Sequence, residues 1–325
     1  MGDFLTRVYR KGVLEAEGFP IAEVSDHLER PDTVLWVDVS APTKAQLHQL
    51  AEELGLHELA VEDTLGPNQR PKLDRYGTHF FLSCRAVAVR VDAGTLEEVE
   101  VDVFVNERWI VTARENEGFP IDPVLHRCDR SSRLAVHGTS FILYGLLDIV
   151  VDGYFSAIEA FDEYYDHVSD GIFSEQPLDP QRQRHWFEMR RIMVRFHRLV
   201  VPLREAVSSL MRRENAVVPD ELYPYYQDIY DHILRVTESS DSLRDLVSTI
   251  VETNLSLRDY RQNLIVKKVG SWAAIISVPA VITGYYGMNV PYPGSGSIAG
   301  VVASTALMIL MSAGLYLLFR KRDWL

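Results

Sequence analysis

Cysteine is scarce in this chain. Cys84 and Cys128 are the only two in 325 residues, too few for a disulfide framework or a thiolate metal site. A Gly-rich phosphate loop, a nucleophile elbow and a His-Glu-x-x-His pair are all missing. Their absence removes the familiar nucleotide-handling, acyl-transfer and zinc-hydrolase chemistries. Positive charge is also short, with a formal net charge of −13. Setting aside the five basic residues that flank the apolar segments near the C-terminus, and Asp323, leaves 28 basic and 45 acidic side chains, a net −17. Such a surface attracts cations and repels nucleic acid and anionic lipid. Met1 to Gly12 lacks the apolar core of a signal peptide, so membrane insertion is expected to rest on later segments. His57, Glu58, Glu62 and Asp63 cluster in sequence, but scattered polar residues around a turn explain them better than a metal site.

Two long stretches lack charge altogether. Val269 to Tyr286 and Ile298 to Phe319 contain no Asp, Glu, Lys, Arg or His. At a rise of 1.5 Å per residue they cover about 27 and 33 Å, enough for the hydrocarbon core of a bilayer. The short turn-rich link Val290 to Ser297 makes them an antiparallel hairpin. Lys267 and Lys268 precede the first span, and Arg320, Lys321 and Arg322 follow the second. Both basic clusters therefore fall on one side, which places both termini in the cytoplasm and the loop around Tyr292 outside.

Residues 1–138 read as a mixed α/β domain. Thr33-Val-Leu-Trp-Val-Asp38 is strand-like by β-branched and aromatic content. Thr43 to Leu54 is an amphipathic helix started by Pro42-Thr43 and stopped by Gly55. Phe80 to Val91 and Val99 to Val105 form a hairpin turned at Ala93-Gly94-Thr95, and Trp109 to Ala113 is a further strand. Residues 139–266 are helical. Phe141 to Val151 is nearly apolar enough to span a membrane, but Asp148 and Asp152 interrupt it, so a buried helix is expected. An acidic helix with Glu159, Asp162, Glu163, Asp166 and Asp170 is followed, after Asp179-Pro180, by a basic one with Arg190, Arg191, Arg195 and Arg198. Exposed ion pairs are expected between the two, each weak. In the last helix, which starts near Asp220, Leu222, Tyr226, Ile229, Ile233, Val236, Ser240, Leu243, Val247, Ile250, Asn254 and Leu257 form a heptad-like seam. With no stop before Gly270 this helix is expected to enter the membrane, and the third region is 267–325 with spans at 269–286 and 298–319.

A second periodicity runs along the same helix. Thr249, Glu252, Ser256, Asp259, Asn263, Val266, Gly270, Ala273, Ser277, Ala280, Gly284 and Gly287 fall on one face by steps of three and four. The face is polar to Asn263 and small beyond Val266. Small residues in an apolar helix let backbones approach closely, and ordinary helix packing is one reading of them. The other is a lining along which something passes. Two spans cannot enclose a pore, whereas several copies can.

The stripe ends at Tyr286-Gly287-Met288-Asn289, and this quartet resembles the signature of CorA-type magnesium channels, the two-span metal ion transporters. Trp36-Val-Asp38, Ala60-Val-Glu-Asp63, Gln69-Arg-Pro-Lys72, Leu146-Leu-Asp148, Val151-Asp152, Tyr154-Phe155, Asp228-Ile-Tyr-Asp-His232, Asn263-x-x-Val-Lys267 and Lys321-Arg-Asp-Trp-Leu325 also resemble stretches of that family. The likeness covers nearly the whole chain. It implies an α+β cytoplasmic domain, a long stalk helix and two C-terminal transmembrane helices, assembled as a funnel-shaped homopentamer in the cell membrane. Gly287, Met288 and Asn289 would form the outer mouth. Glu252, Asp259, Asn263, Val266, Gly270, Ala273, Ser277, Ala280 and Gly284 would line the path. Asp228 matches an aspartate that binds regulatory divalent metal between subunits, and Asp92, near the hairpin turn, is its candidate partner.

The resemblance implies Mg2+ as transported and regulatory ion, with Co2+ a further cargo and no enzymatic activity. Three positions depart from the family pattern. Ala280 stands where many relatives carry Thr, Ser277 and Val266 stand where larger apolar residues often narrow the pore, and the external loop lacks the usual acids. A pore for Zn2+, Co2+ or Ni2+ on the same fold is the near alternative, although the stripe holds no His or Cys to favour a softer metal. A membrane-anchored scaffold is the alternative of another class.

Overall fold

The computed structural model describes residues 4–66, 70–172, 180–215, 217–288, 294 and 296–325. It divides into two compact units, Met1–Val247 and Ser248–Leu325. The first contains a seven-stranded sheet of β1 (Phe4–Arg10), β2 (Val13–Glu17), β3 (Thr33–Ser40), β4 (Lys72–Arg75), β5 (Phe80–Arg90), β6 (Thr95–Val105) and β7 (Trp109–Arg114). Its spatial order is β2-β1-β3-β7-β6-β5-β4. Only β3 and β7 pair in parallel; the other neighbours are antiparallel. The hairpin expected at Gly94 is present, with Arg90 opposite Thr95. Gly94 has φ +62°, a conformation that favours glycine.

Helices α1 (Val24–Leu28), α2 (Lys44–Leu54) and α3 (Glu58–Leu65) lie over one face of the sheet. Leu47, Leu50, Ala60 and Val61 meet Val37, Val39, Phe81, Phe104 and Val111 in a single apolar core. The limits of α2 follow local chemistry. The Thr43 side chain and Gln46 form a capping box, and Gly55 closes the helix at φ 70°, as a left-handed C-cap does. On the opposite face Asp38 accepts from Arg114 Nη2 at 2.7 Å and Nε at 3.1 Å, and Arg114 Nη1 donates to Phe119 O at 3.0 Å. The pair is buried and hydrogen-bonded on both sides, the condition under which a buried ion pair is tolerated.

After α4 (Asp122–Arg130) and α5 (Ser132–Ala135) come α6 (Thr139–Ile172) and α7 (Pro180–Leu210). Where α6 crosses β5, a Cβ on Gly153 would stand 3.1 Å from Val87 O, and the Tyr154 hydroxyl donates to Arg85 O at 2.9 Å. The α6–α7 hairpin differs from the electrostatic arrangement expected of it. Phe196 sits 5.5 Å from Tyr154 and 5.8 Å from Phe161, ring to ring, within a buried row that includes Tyr165, Met189, Met193 and Val200. Among the described side chains no ion pair joins the acidic residues of α6 to Arg190, Arg191, Arg195 or Arg198; Arg195 pairs instead with Glu98 on β6. These charges point outward, where pairing is weak, and apolar burial holds the hairpin.

Three helices among the described residues are long and apolar enough to cross a membrane: α6, α8 (Tyr223–Tyr286) and α9 (Ile298–Lys321). In α6 61% of the apolar window is buried within the protein, against 6% in each of the others. Asp148 in α6 is paired with Arg127 at 2.6 Å. The apolar surface of α6 is thus already covered, and that of α8 and α9 is not. Helix α8 runs unbroken for 64 residues, and its seam from Leu222 to Ile250 is buried. The expected α/β domain, long helix and C-terminal apolar helices are all present.

The short strands β1, β2 and β4 have little local signature. β1 carries Thr6 and Arg7 at positions that long-range partners satisfy, Phe19 O at 2.7 Å for Thr6 and Asp129 at 3.0 Å for Arg7. At the far side of the first unit His79 is buried among Tyr76, Phe104 and Trp109. Burial, with a smaller contribution from His57, lowers its pKa to about 4. The unfolded chain binds a proton near pH 6.5 and the folded one only near 4, so stability falls as pH drops through that window, by about 3 kcal/mol at most. His79→Phe is expected to flatten the fall in melting temperature between pH 6.5 and 4.5; an unchanged slope would mean that other groups set it.

Candidate functional site

The apolar part of α8 shows two faces. Ser271, Ala274, Ile275, Val278, Pro279, Ile282 and Tyr286 are its less exposed residues, with Ser271 at 2%. On α9 the matching set is Gly300, Ser304, Met308, Ser312, Leu315 and Phe319. Both sets recur by threes and fours, so each marks one sheltered face of its helix. The stripe Gly270, Ala273, Ser277, Ala280, Gly284 and Gly287 is exposed throughout. At 100° per residue it lies on the side of α8 roughly opposite the sheltered face. A Cβ built on Gly270 or Gly284 meets nothing within 4 Å. The stripe is therefore not consumed by packing within the hairpin.

Within this stretch, hydroxyls donate back to carbonyls one turn earlier in the helix. Ser277 donates to Ala273 O at 2.7 Å, and Thr283 to Pro279 O at 2.8 Å. The helix stops at Tyr286, after which Gly287 N donates to Thr283 O at 2.8 Å and Met288 N to Tyr285 O at 3.3 Å. Met288 is 52% exposed. Asn289 lies outside the described residues, as do most of the link positions that follow it. Below the apolar part, Glu252, Asp259, Asn263 and Val266 are exposed on the helix surface.

The metal candidates of the first unit are also exposed. Asp92 is in the β5–β6 turn. Asp228 on α8 has Oδ1 3.7 Å from His232 Nε2, and the rings of His232 and Phe155 are nearly perpendicular with centroids 5.3 Å apart. Nearby, burial raises the Asp152 pKa and the charge of Asp148 raises it further. Burial likewise raises that of Tyr144, with Asp148 and Asp228 adding to it. Asp228 thus shares a negative field with residues of α6, a grouping that spacing along the sequence does not disclose. Among the described residues no three His, Cys, Asp or Glu side chains converge to hold a metal. Any regulatory ion at Asp228 needs ligands from a second chain or from water.

Comparison with known proteins bears on this arrangement. The family model described as CorA-like Mg2+ transporter protein matches residues 31–321. The cobalt/magnesium transport protein CorA of Thermotoga maritima is 27% identical over 99% of this chain and 93% of its own length. The zinc transport protein ZntB of Cronobacter sakazakii is 22% identical over 90% of this chain and 89% of its own. The complete structure of the CorA magnesium transporter from Methanocaldococcus jannaschii has the same fold, with a TM-score of 0.79 at 19% identity and 98% of each chain covered. Fold, apolar helices and sequence together define a membrane transporter of divalent metal ions, not an enzyme. The chain belongs to the CorA-like Mg2+ transporter family.

Proposed function

We propose that this chain forms a homopentameric channel in the cell membrane that admits hydrated Mg2+ down its electrochemical gradient. The observation that carries the reading is the small-residue stripe of α8, exposed opposite the sheltered face of that helix and running to Gly287-Met288. In a ring of copies these faces would surround an axis, while the bulky exposed residues Trp272, Ile276 and Val281 would meet lipid or neighbouring helices. Two spans per chain, α8 from 269 to 286 and α9 from 298 to 319, with both termini cytoplasmic, agree with the basic residues flanking them.

Mg2+ sheds water reluctantly, so a filter of direct carboxylate ligands would hold it too tightly to conduct. Neutral oxygens that touch an intact hydration shell suit transport better. Five Asn289 carboxamides at the C-terminal end of the pore helix would supply them, where the helix dipole favours a cation. Below, rings of Asp259 and Glu252 would draw the ion inward. A membrane potential drives a divalent ion by about 4.6 kcal/mol per 100 mV. Gating is negative feedback: internal Mg2+ between adjacent domains, bound at Asp228 with Asp92 of a neighbour, holds the ring closed, and its loss lets the acids repel.

Cargo is tested by uptake into proteoliposomes. Mg2+ uptake blocked by hexaamminecobalt, a rigid analogue of hydrated Mg2+, with Co2+ competing and Zn2+ carried poorly, is the expected result. Zn2+ uptake that outruns Mg2+ at equal gradients would assign the chain to the zinc-carrying side of the family, to which its ZntB relatives point.

A further inference from the structure

A chain of hydrogen bonds joins α7 to α8, and neither the transport path nor the Asp228 region uses it. Ser240 is a polar member of the α8 seam, fully buried between Val236 and Leu243. Its hydroxyl donates to Thr237 O at 2.8 Å and lies 2.9 Å from Nδ1 of His197 on α7. The other ring nitrogen, Nε2, is 3.3 Å from Arg244 Nη1 and 3.7 Å from Asp241 Oδ1, both on α8. Arg244 and Asp241 also meet each other at 3.2 Å. All of these residues belong to the first unit.

Donor and acceptor chemistry fixes the state of the ring. A guanidinium can only donate, so Nε2 accepts from Arg244 and carries no proton. The proton of the neutral ring is then on Nδ1, which donates to Ser240 Oγ, whose own proton goes to Thr237 O. Each contact is satisfied by neutral imidazole in this one tautomer. The electrostatics agree. Burial lowers the His197 pKa, Asp241 opposes the change, and Arg244 and Arg204 lower it further. Two of these charged groups come from α8 and one from the histidine's own helix; among the described residues α6 and the sheet bring no charge to the ring. The arrangement therefore holds fully above about pH 6.5 and weakens as pH falls below it.

Protonation would place a hydrogen and a positive charge on Nε2, where Arg244 already points. Donor then faces donor and like charges repel, while Asp241 offers an acceptor. Closing the gap of 3.7 Å to a charge-assisted hydrogen bond of about 2.8 Å moves the contact by about 1 Å. Shifts of that size between packed helices are among those by which interfaces switch. We propose that His197 is a proton-operated latch between α7 and the stalk helix α8. Neutral, it joins Ser240 to Arg244; protonated, it gives up Arg244 for Asp241 and loosens the hold of α7 on α8. The consequence for transport rests on the reading of α8 as the gated pore helix. A stalk held less firmly splays more readily, so acid on the cytoplasmic side raises the internal Mg2+ needed to close the ring.

The experiment titrates the full chain, labelled with nitrogen-15 histidine and reconstituted in liposomes, by solid-state nuclear magnetic resonance. The His197 signal is identified by its loss in His197→Gln. A neutral ring protonated at Nδ1 at pH 7.5, gaining its second proton below about pH 6.5, is expected. A neutral ring protonated at Nε2, or an imidazolium at pH 7.5, overturns the proposal. Asp241→Asn is expected to move the titration to lower pH and Arg244→Gln to higher pH; a titration that neither variant moves rejects the network. In the same liposomes the internal Mg2+ that halves uptake is expected to rise about fivefold from pH 7.5 to 5.5, and to stay level in His197→Gln. A rise that persists in that variant rejects the regulatory role. If His197→Gln fails to fold, the signal that Asp241→Asn and Arg244→Gln displace in opposite directions is His197, and the absence of such a signal overturns the proposal. The titration needs no ion flux, so vesicles sealed to Mg2+ at every pH would strike the transport reading and leave the proton site standing.

Discussion

Asn289→Ala is expected to reduce Mg2+ flux into proteoliposomes about fiftyfold while leaving insertion and assembly as in the native chain. The size follows from symmetry. In the proposed pentamer one substitution would remove five carboxamides from one ring, and each contact with a hydration shell would contribute on the order of 0.5 kcal/mol. Five of them amount to roughly 2.5 kcal/mol, or between one and two powers of ten in rate. Asn289→Asp separates polarity from neutrality: a ring of five carboxylates should bind Mg2+ more tightly and conduct it more slowly. Native flux from Asn289→Ala, measured with a Mg2+-sensitive dye inside the vesicles, would remove Asn289 from the filter and leave the stripe without an outer mouth.

Asp228→Lys is expected to raise the internal Mg2+ concentration that halves uptake by at least about tenfold. Asp228 is exposed, and its one ion-pair contact among the described residues is with His232 at 3.7 Å, so its replacement should cost the fold little. In the proposed ring the substitution would exchange, in every copy, the proposed cation ligand for a cation. Coulomb repulsion then opposes the ion that would close the ring, and the Asp148 and Asp152 field is partly neutralised. Asp92→Asn should act in the same direction and more weakly. Half-inhibition that stays at the native concentration in both variants would place the regulatory ion elsewhere. A Mn2+ count that also stays the same would mean that Asp228 holds no ion at all.

The parts of the fold legible in the sequence are those with local causes. Thr43, Gln46 and Gly55 bound α2 because a capping box and a left-handed C-cap act within a few residues. The β5–β6 hairpin is legible because Gly94 punctuates two β-branched runs. The uncharged runs of α8 and α9 announce themselves by composition, and the four-three steps of the seam from Leu222 to Ile250 predict its burial. β1 escapes such reading because Thr6 and Arg7 look like loop residues until Phe19 and Asp129 come alongside. The α6–α7 hairpin suggests ion pairs because its charges are segregated by helix. Their placement on outward faces, with Phe196 between Tyr154 and Phe161, is a matter of how two helices meet.

By itself the amino-acid sequence determined the periods: where apolar runs begin and end, which residues share the small stripe, and where Gly287 and Met288 fall relative to it. Periodicity fixes a face but not the direction in which that face points. Only the tertiary structure decided that Ser271, Ile275 and Val278 take the sheltered side of α8, leaving the stripe open, and that Asp102 lies buried between Ser83 of β5 and Ala113 of β7. The physical reason is that burial and electrostatic environment are sums over neighbours brought together by folding, and most of those neighbours are distant along the chain.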